Sequence, residues 1–299
     1  MLTVASRQPA AGSLACAGGR ILELKKTPLV MGVLNLTPDS FSDGGLWMDP
    51  SRAVDRAEEM VAQGADLLDL GAESTRPGGG VYGNGAQTVP AEEELDRLLP
   101  VLERLRERVS VPLSVDTRKS AVARVALEAG ADLINDISCL SDPEIAVVAA
   151  ESGSPLVLMH SRGDLASMQS RIHFDDVVAE VIQDLAGAIE RACQQGVSRD
   201  QIVIDPGIGF GKNGQQNLEL LLRLDELQQL DRPILVGASR KSFIGAIIDQ
   251  PAASRLPGSL ATIAWAASQR AAMVRVHDVA ETVQFLAVWE AIDSAGGPQ

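Results

Sequence analysis

The chain has 299 residues, with 40 Asp and Glu against 26 Lys and Arg, a formal net charge of −14 and 45% hydrophobic residues. That balance opposes sequence-independent attraction to nucleic acid or to an anionic membrane surface, so an anionic small-molecule ligand requires a local cationic pocket. Cys16, Cys139 and Cys193 are far apart and lack CxxC spacing, which signals neither a disulfide framework nor a zinc site and points to a reduced cytoplasm.

Residues 1–18 are rich in small side chains, and Arg7, Gln8 and Pro9 interrupt any signal-like apolar core, so the segment reads as a flexible N-terminal tail. No later run reaches the ~18 apolar residues of a membrane span. GRILELKK, from Gly19 to Lys26, predicts a short strand or hairpin closing the bottom of the fold. The first core strand is expected in PLVMGVLN from Pro28, followed by the loop LTPDSFSDGG from Leu36 to Gly45. Asp49 with Pro50 behind it predicts a capped helix start, and Gly64 marks the end of that helix. ADLLDLGAE from Ala65 is the next strand, and the glycine-rich stretch from Gly71 to Gly85 follows it. Both loops exceed the usual ~2 to 6 residue connection, and mobile lids are expected there.

Six further strands are expected in VPLSVD from Val111, ADLINDIS from Ala131, PLVLMH from Pro155, QIVIDP from Gln201, PILVGASR from Pro233 and MVRVH from Met273. The stretches Phe174 to Gln195 and Pro257 to Gln269 predict outer helices. GADLLD at Gly64 and GADLIN at Gly130 form a small repeat of helix-ending Gly, connector and strand, which aligns Asp69 with Asn135. Eight nearly all-apolar strands separated by helical segments predict one α/β domain, a (β/α)8 TIM barrel over residues 19–295. In such a barrel the chemistry sits where the strands end.

Asp116, Asn135 and Asp205 stand at strand ends, and together they suit the amino-imine edge of a flat heterocycle, since a carboxylate accepts two parallel N–H bonds. Arg76, Lys241, Arg275 and His277 supply cationic or polar partners from other endings, and Lys241 with Ser242 opens a helix that favours an anion. For RVHD the plain alternative is a salt bridge to Asp278. Gly209, Gly211 and Gly214 match GxGxxG only formally, and GFGK ending at Lys212 lacks the earlier glycine of a P-loop, because Pro206 stands there. His160 and His173 have no His or Cys at metal-ligand spacing, so hydrogen-bonding roles are expected.

MGVLNLTPDSFSDGG, GAESTRPG, SVDTRKS, LINDIS, DPGIGFGKN, GASRKSFIG, PGSLAT and RVHDV, collinear from about Gly19 to the last helix, resemble dihydropteroate synthases. The resemblance implies a Mg²⁺-using homodimeric enzyme of folate synthesis. It would condense a dihydropterin-methyl diphosphate with p-aminobenzoate and release diphosphate. By motif, Asp116, Asn135, Asp205 and Lys241 would hold the pterin, with Met159 and Gly237 lining its slot. Asn35, Arg275 and His277 would bind diphosphate, with Asn35 as the metal ligand. Thr75, Arg76, Pro77, Phe210, Lys241 and Ser242 would surround p-aminobenzoate, and catalysis would rest on Asp39, Arg76, Asp116, Lys241 and Arg275. A pterin-dependent methyltransferase would share the pterin slot but have no use for the STRPG and SRKS pockets. A non-catalytic pterin-binding paralogue would not need the intact set Asn35, Arg76, Lys241 and His277.

Overall fold

A computed structural model describes residues 12–37, 49–74, 88–162 and 173–295. It opens with an antiparallel hairpin, β1 (Ser13–Ala15) and β2 (Ile21–Glu23), in which Leu14 pairs with Leu22. This corrects the reading of a loose tail for residues 13–18, whereas residues 1–11 of that segment lie outside the described residues. Leu14, Cys16 and Leu22 point inward and are buried, and that apolar alternation is enough to hold a three-residue strand against the barrel. The predicted closing element at residues 19–26 is therefore one arm of a hairpin whose other arm lies earlier.

The continuously apolar runs form parallel strands because both faces of each strand are covered. They are β3 (Leu29–Asn35), β4 (Leu67–Gly71), β5 (Leu113–Asp116), β6 (Leu133–Asp136), β7 (Leu156–Met159), β8 (Ile202–Asp205), β9 (Leu235–Val236) and β10 (Met273–Val276). Their order is β8-β7-β6-β5-β4-β3-β10-β9, and a parallel bridge between Ile204 and Ile234 brings the two edges together. The helices around them are α1 (Pro50–Ala62), α2 (Ala91–Arg108), α3 (Ser120–Glu128), α4 (Glu144–Ser152), α5 (Val177–Gln194), α6 (Gly214–Leu222), α7 (Ser242–Ile248), α8 (Leu256–Ser268) and α9 (Val279–Ala295). No helix among the described residues is long and apolar enough to cross a membrane.

Local signals act as their chemistry requires. The Asp49 side chain accepts from the Ser51 amide at the start of α1, with Pro50 at the first helical position. Gly64 and Gly130, the two repeat glycines, have φ of +101° and +102°, and the amides after them bond back to the Met60 and Ala126 carbonyls. The repeat's first aspartates then tie each new strand to its neighbour: Asp66 accepts from Val30 N at 2.9 Å and Asp132 from Leu113 N at 2.9 Å.

The core has two parts. One lies between strands and helices. The other fills the barrel, where Leu29, Met31, Leu67, Leu133, Val157, Val203, Leu235 and Met273 meet Leu14, Cys16 and Leu22 of the hairpin. Beside this plug, fully buried Asp132 receives Arg20 Nη1 at 3.1 Å and Arg106 Nη1 at 2.6 Å, which pins the hairpin connection to β6 and α2. The bottom is thus sealed, and the strand C-termini face the open end. Leu14→Ala is expected to cost about 2–5 kcal/mol in denaturant unfolding; an unchanged midpoint would show that the hairpin does not seal the barrel.

Candidate active site

Neighbouring strands deliver the central acids. Asp116 at the end of β5 is in register with Gly71 of β4 and Asn135 of β6, while Asp69 lies one inward-facing step deeper, opposite Ser114. Arg275 of β10 reaches across β3 to them. Its Nε donates to Asp69 Oδ2 at 2.6 Å and its Nη2 to Asp116 Oδ2 at 2.9 Å. Asn135 Nδ2 donates to the same Asp69 oxygen at 3.1 Å, so the two positions aligned by the sequence repeat touch each other. Asp69 Oδ1 and Asp116 Oδ1 are buried with no hydrogen-bond partner. Such atoms cost free energy until a donor reaches them.

Burial dominates the electrostatics. It pushes the Asp116 carboxyl up to about 7, against the pull of Arg275 and with the help of Asp69. It pushes Asp205 up to about 6, opposed by a 2.7 Å bond from Gly207 N and by Lys241 and Lys212. Burial and the nearby Arg275 charge bring Lys241 down to about 8. For Arg275 burial disfavours the charge, but Asp69 and Asp116 outweigh it and hold its pKa above the usual value.

Lys241 extends over the mouth with Nζ 4.0 Å from the centre of the Phe210 ring, a cation–π contact. Its direction is set by Arg240, which takes φ +58° and turns away to pair with Asp278. The Arg240 amide bonds Ser259 Oγ at 2.9 Å, and Arg255 Nη1 bonds the carbonyls of Arg240 and Lys241. Asp278, the acid within RVHDV, therefore pairs with Arg240, and Arg275 stays on the mouth acids. Ser242 begins α7, directly after Lys241.

His277 follows β10, with Nδ1 3.0 Å from Ser239 Oγ, and burial together with Arg275 pushes its pKa down to about 3, so the ring is neutral. Asn35 ends β3, with Oδ1 3.8 Å from where a Cβ on Gly71 would lie, beside Asp116. A Cβ on Gly237 would sit 3.7 Å from Asp205 Oδ2 and 3.9 Å from the Arg275 Cβ, which places Gly237 on the wall between them. Met159 is buried at the end of β7. Among the described residues no group of three His, Cys, Asp or Glu is arranged to hold a metal ion.

The structure thus brings together Asn35, Asp116, Asn135, Met159, Asp205, Phe210, Gly237, Lys241, Ser242, Arg275 and His277 on strand ends and the segments that follow them. Asp39, Thr75, Arg76 and Pro77 lie outside the described residues. His160 hydrogen-bonds Asp184 and Lys212, the kind of role expected for it, whereas His173 is exposed near Asp175. Asp69 was missed as a site residue, although the repeat had aligned it with Asn135. Ser239, Ser259 and Lys212 carried no separable sequence signal.

The sequence profile described as pterin binding enzyme matches residues 31–277. The chain is 44% identical over 277 residues to the dihydropteroate synthase of Synechocystis sp., covering 92% of this chain and 93% of the relative. It is 46% identical over 279 residues to that of Escherichia coli K12, covering 93% and 96%. It is also similar to the Xanthomonas albilineans dihydropteroate synthase structure with 4-aminobenzoic acid, with a TM-score of 0.87, 45% identity and coverage of 97% and 100%. The same bacterium's structure in complex with 7,8-dihydropteroate matches with a TM-score of 0.83, 42% identity and coverage of 96% and 100%. With a closed barrel, a shared set of strand-end motifs and identity of this extent over nearly the whole chain, the protein belongs to the dihydropteroate synthase family of pterin-binding enzymes.

Proposed function

We propose that this transferase joins 6-hydroxymethyl-7,8-dihydropterin diphosphate to p-aminobenzoate, forming 7,8-dihydropteroate and diphosphate in folate biosynthesis. The observation that carries the reading is the unpartnered Asp116 Oδ1, buried between Asp69, Asn135 and Arg275 at the barrel mouth. An N–H donor on a pterin edge satisfies such an acceptor, and Asp205 at the end of β8 offers a second carboxylate at the same mouth. The Xanthomonas albilineans relatives bound to 4-aminobenzoic acid and to 7,8-dihydropteroate support the same ligand classes.

Asp116 and Asp205 accept the pterin N–H groups as carboxylates, and binding itself draws their raised pKa values down. Arg275, with His277 as a neutral hydrogen-bonding partner, faces the diphosphate. Asn35 Oδ1 fits Mg²⁺ as a single protein oxygen, because this ion usually keeps waters and substrate phosphates as its other ligands, and when bound it neutralises leaving-group charge. The C–O bond to diphosphate breaks with its electron pair leaving on oxygen, and the carboxylates stabilise the cationic pterin methylene that remains. The p-aminobenzoate nitrogen then attacks that carbon and gives up a proton to the departing diphosphate. Lys241, Ser242 and the Phe210 ring bound its pocket. The motif residues Asp39, Thr75, Arg76 and Pro77 are assigned to the same reaction by resemblance alone.

We also assign the homodimer contact to the apolar face of α6, α7 and α8. Leu218, Leu222, Ile247, Ile248 and Trp265 are exposed there around a groove of about 410 Å³. A second copy of this chain suits a wide aliphatic face without charged side chains along its groove. The free cysteines agree with a cytoplasmic enzyme.

The deciding assay follows diphosphate and dihydropteroate together with both substrates and Mg²⁺. Equal, Mg²⁺-dependent yields are expected, and pterin binding without either product would overturn the synthase reading. Lys241→Ala and Asp205→Ala are each expected to lower kcat/KM by at least about 100-fold; full activity in either would remove that residue from the site. Pterin affinity by calorimetry is expected to fall from about pH 8 to about pH 5, as Asp116 and Asp205, both raised by burial, take up protons and stop accepting. Flat affinity over that range would mean that neutral carboxyls suffice. Trp265→Glu is expected to sediment as a monomer, and an intact dimer would place the contact elsewhere.

A further inference from the structure

Lys212 ends the GFGK run that resembles a P-loop only superficially, and its side chain turns inward. It is 2% exposed, and its Nζ meets three acceptors: Gly207 O at 3.0 Å, Phe210 O at 2.9 Å and His160 Nδ1 at 2.9 Å. Burial pulls the Lys212 pKa down to about 7, but two carbonyls and the ring nitrogen each need a donor, because Asp184 claims the proton on His160 Nε2; the three-donor ammonium with Nδ1 accepting is the form that fits. The ring proton is then on Nε2, which lies 3.1 Å from Asp184 Oδ2 and donates to it. Burial, with Lys212 alongside, pushes the His160 pKa down to about 4 and keeps the ring neutral in that tautomer. Asp184 on α5 is in turn held by Arg162 Nε at 2.8 Å, and Arg162 stacks on the Phe174 ring at 4.6 Å. A continuous polar path therefore runs from a half-exposed helix to the underside of the site.

The held object is the turn between Asp205 and Lys212. It has no strand partner of its own, and Gly207, Gly209 and Gly211 take φ of +67°, +85° and +58°. Apart from one backbone bond, Phe210 N to Gly207 O at 3.1 Å, side chains fix it. Asp205 Oδ1 takes the Gly207 amide, Asn217 Oδ1 takes the Gly209 amide at 2.6 Å, and Lys212 ties the carbonyls at both ends of Gly207–Phe210. The fit leaves no slack: a Cβ on Gly207 would lie 2.0 Å from His160 O, and one on Gly209 would lie 2.9 Å from Lys241 Cδ. Phe210, the residue this turn presents, carries Lys241 above its ring. A buried ammonium is costly, and here the cost is offset by bonds to two turn carbonyls and a ring nitrogen that an apolar chain would leave bare. Its use is therefore to hold the backbone of the turn, not to fill space.

We propose that Lys212, oriented by His160 and Asp184, is a positioning residue for the condensation: it sets Phe210 against Lys241 and so shapes the p-aminobenzoate pocket without touching either substrate. This rests on the functional reading above. Asp116 is held independently by Arg275, and Asp205, although its Oδ1 takes the Gly207 amide, keeps its place on β8 in register with Met159, so loss of the clamp falls on the p-aminobenzoate side far more than on the pterin side.

The test is steady-state kinetics on the full-length enzyme with each substrate varied, alongside thermal unfolding. Lys212→Met is expected to raise KM for p-aminobenzoate roughly tenfold or more while leaving the pterin diphosphate KM within about twofold. His160→Leu is expected to reproduce this selective defect. His160→Asn, which retains an acceptor near the Nδ1 position, is expected to recover most of the loss. Equal rises in both KM values, no rise in either, or identical behaviour of His160→Asn and His160→Leu would each overturn the proposal. If Lys212→Met does not fold, the two His160 variants decide the matter on the same readout. A wild-type enzyme that forms no dihydropteroate instead overturns the functional reading, a result visible before any variant is compared.

Discussion

The Arg275 guanidinium is the interaction on which the barrel mouth depends. Asp69 and Asp116 stand on adjacent strands in a buried space, where desolvation pushes the Asp116 carboxyl up. One fork from β10 spans β3 and bonds both acids, so strands that are not neighbours in the sheet are joined across the barrel opening. Removing one member of such a buried set leaves the others uncompensated, at a cost of about 3–5 kcal/mol. The same arrangement leaves one oxygen of each acid without a donor. Stability and ligand recognition are therefore coupled through a single side chain.

Around this centre, the residues that meet substrates are held by residues that do not. Arg240 is turned out to Asp278 by a left-handed backbone, and its amide is fixed by Ser259, while Arg255 takes the adjacent carbonyls. These contacts explain why a distant PGSLAT stretch belongs with the SRKS motif: α8 braces the loop that aims Lys241. The Lys212, His160 and Asp184 path does the same for the turn carrying Phe210. Both devices spend buried polar groups on backbone geometry, because irregular loops lack ladder hydrogen bonds.

The closed end of the barrel follows another rule. There the interior is apolar and filled by the β1–β2 hairpin, with Asp132 as its one deep ionic anchor among the described residues of that plug. A solid floor lets the open end carry unsatisfied oxygens and a lowered lysine pKa without losing the fold. Short strands help as well, since β5, β6 and β8 each have four residues and bring Asp116, Asn135 and Asp205 to the same rim.

Much of this was legible in one dimension. Continuous apolar runs, capped helix starts and glycines after helices mark the eight strands and their order, because burial on both faces and φ above zero impose local residue choices. Polar residues at the ends of those runs mark Asp116, Asn135, Asp205, Lys241 and Arg275 for the same reason. The hairpin strand at Ser13–Ala15 was not legible, since three residues of small and apolar type acquire a strand only when a barrel floor is present to receive Leu14. Nor could the sequence distinguish Asp278 pairing with Arg240 from pairing with Arg275, or reveal that Lys212 points inward. Those outcomes depend on which long side chains meet after closure, and distances between residues far apart in sequence exist only in the folded barrel.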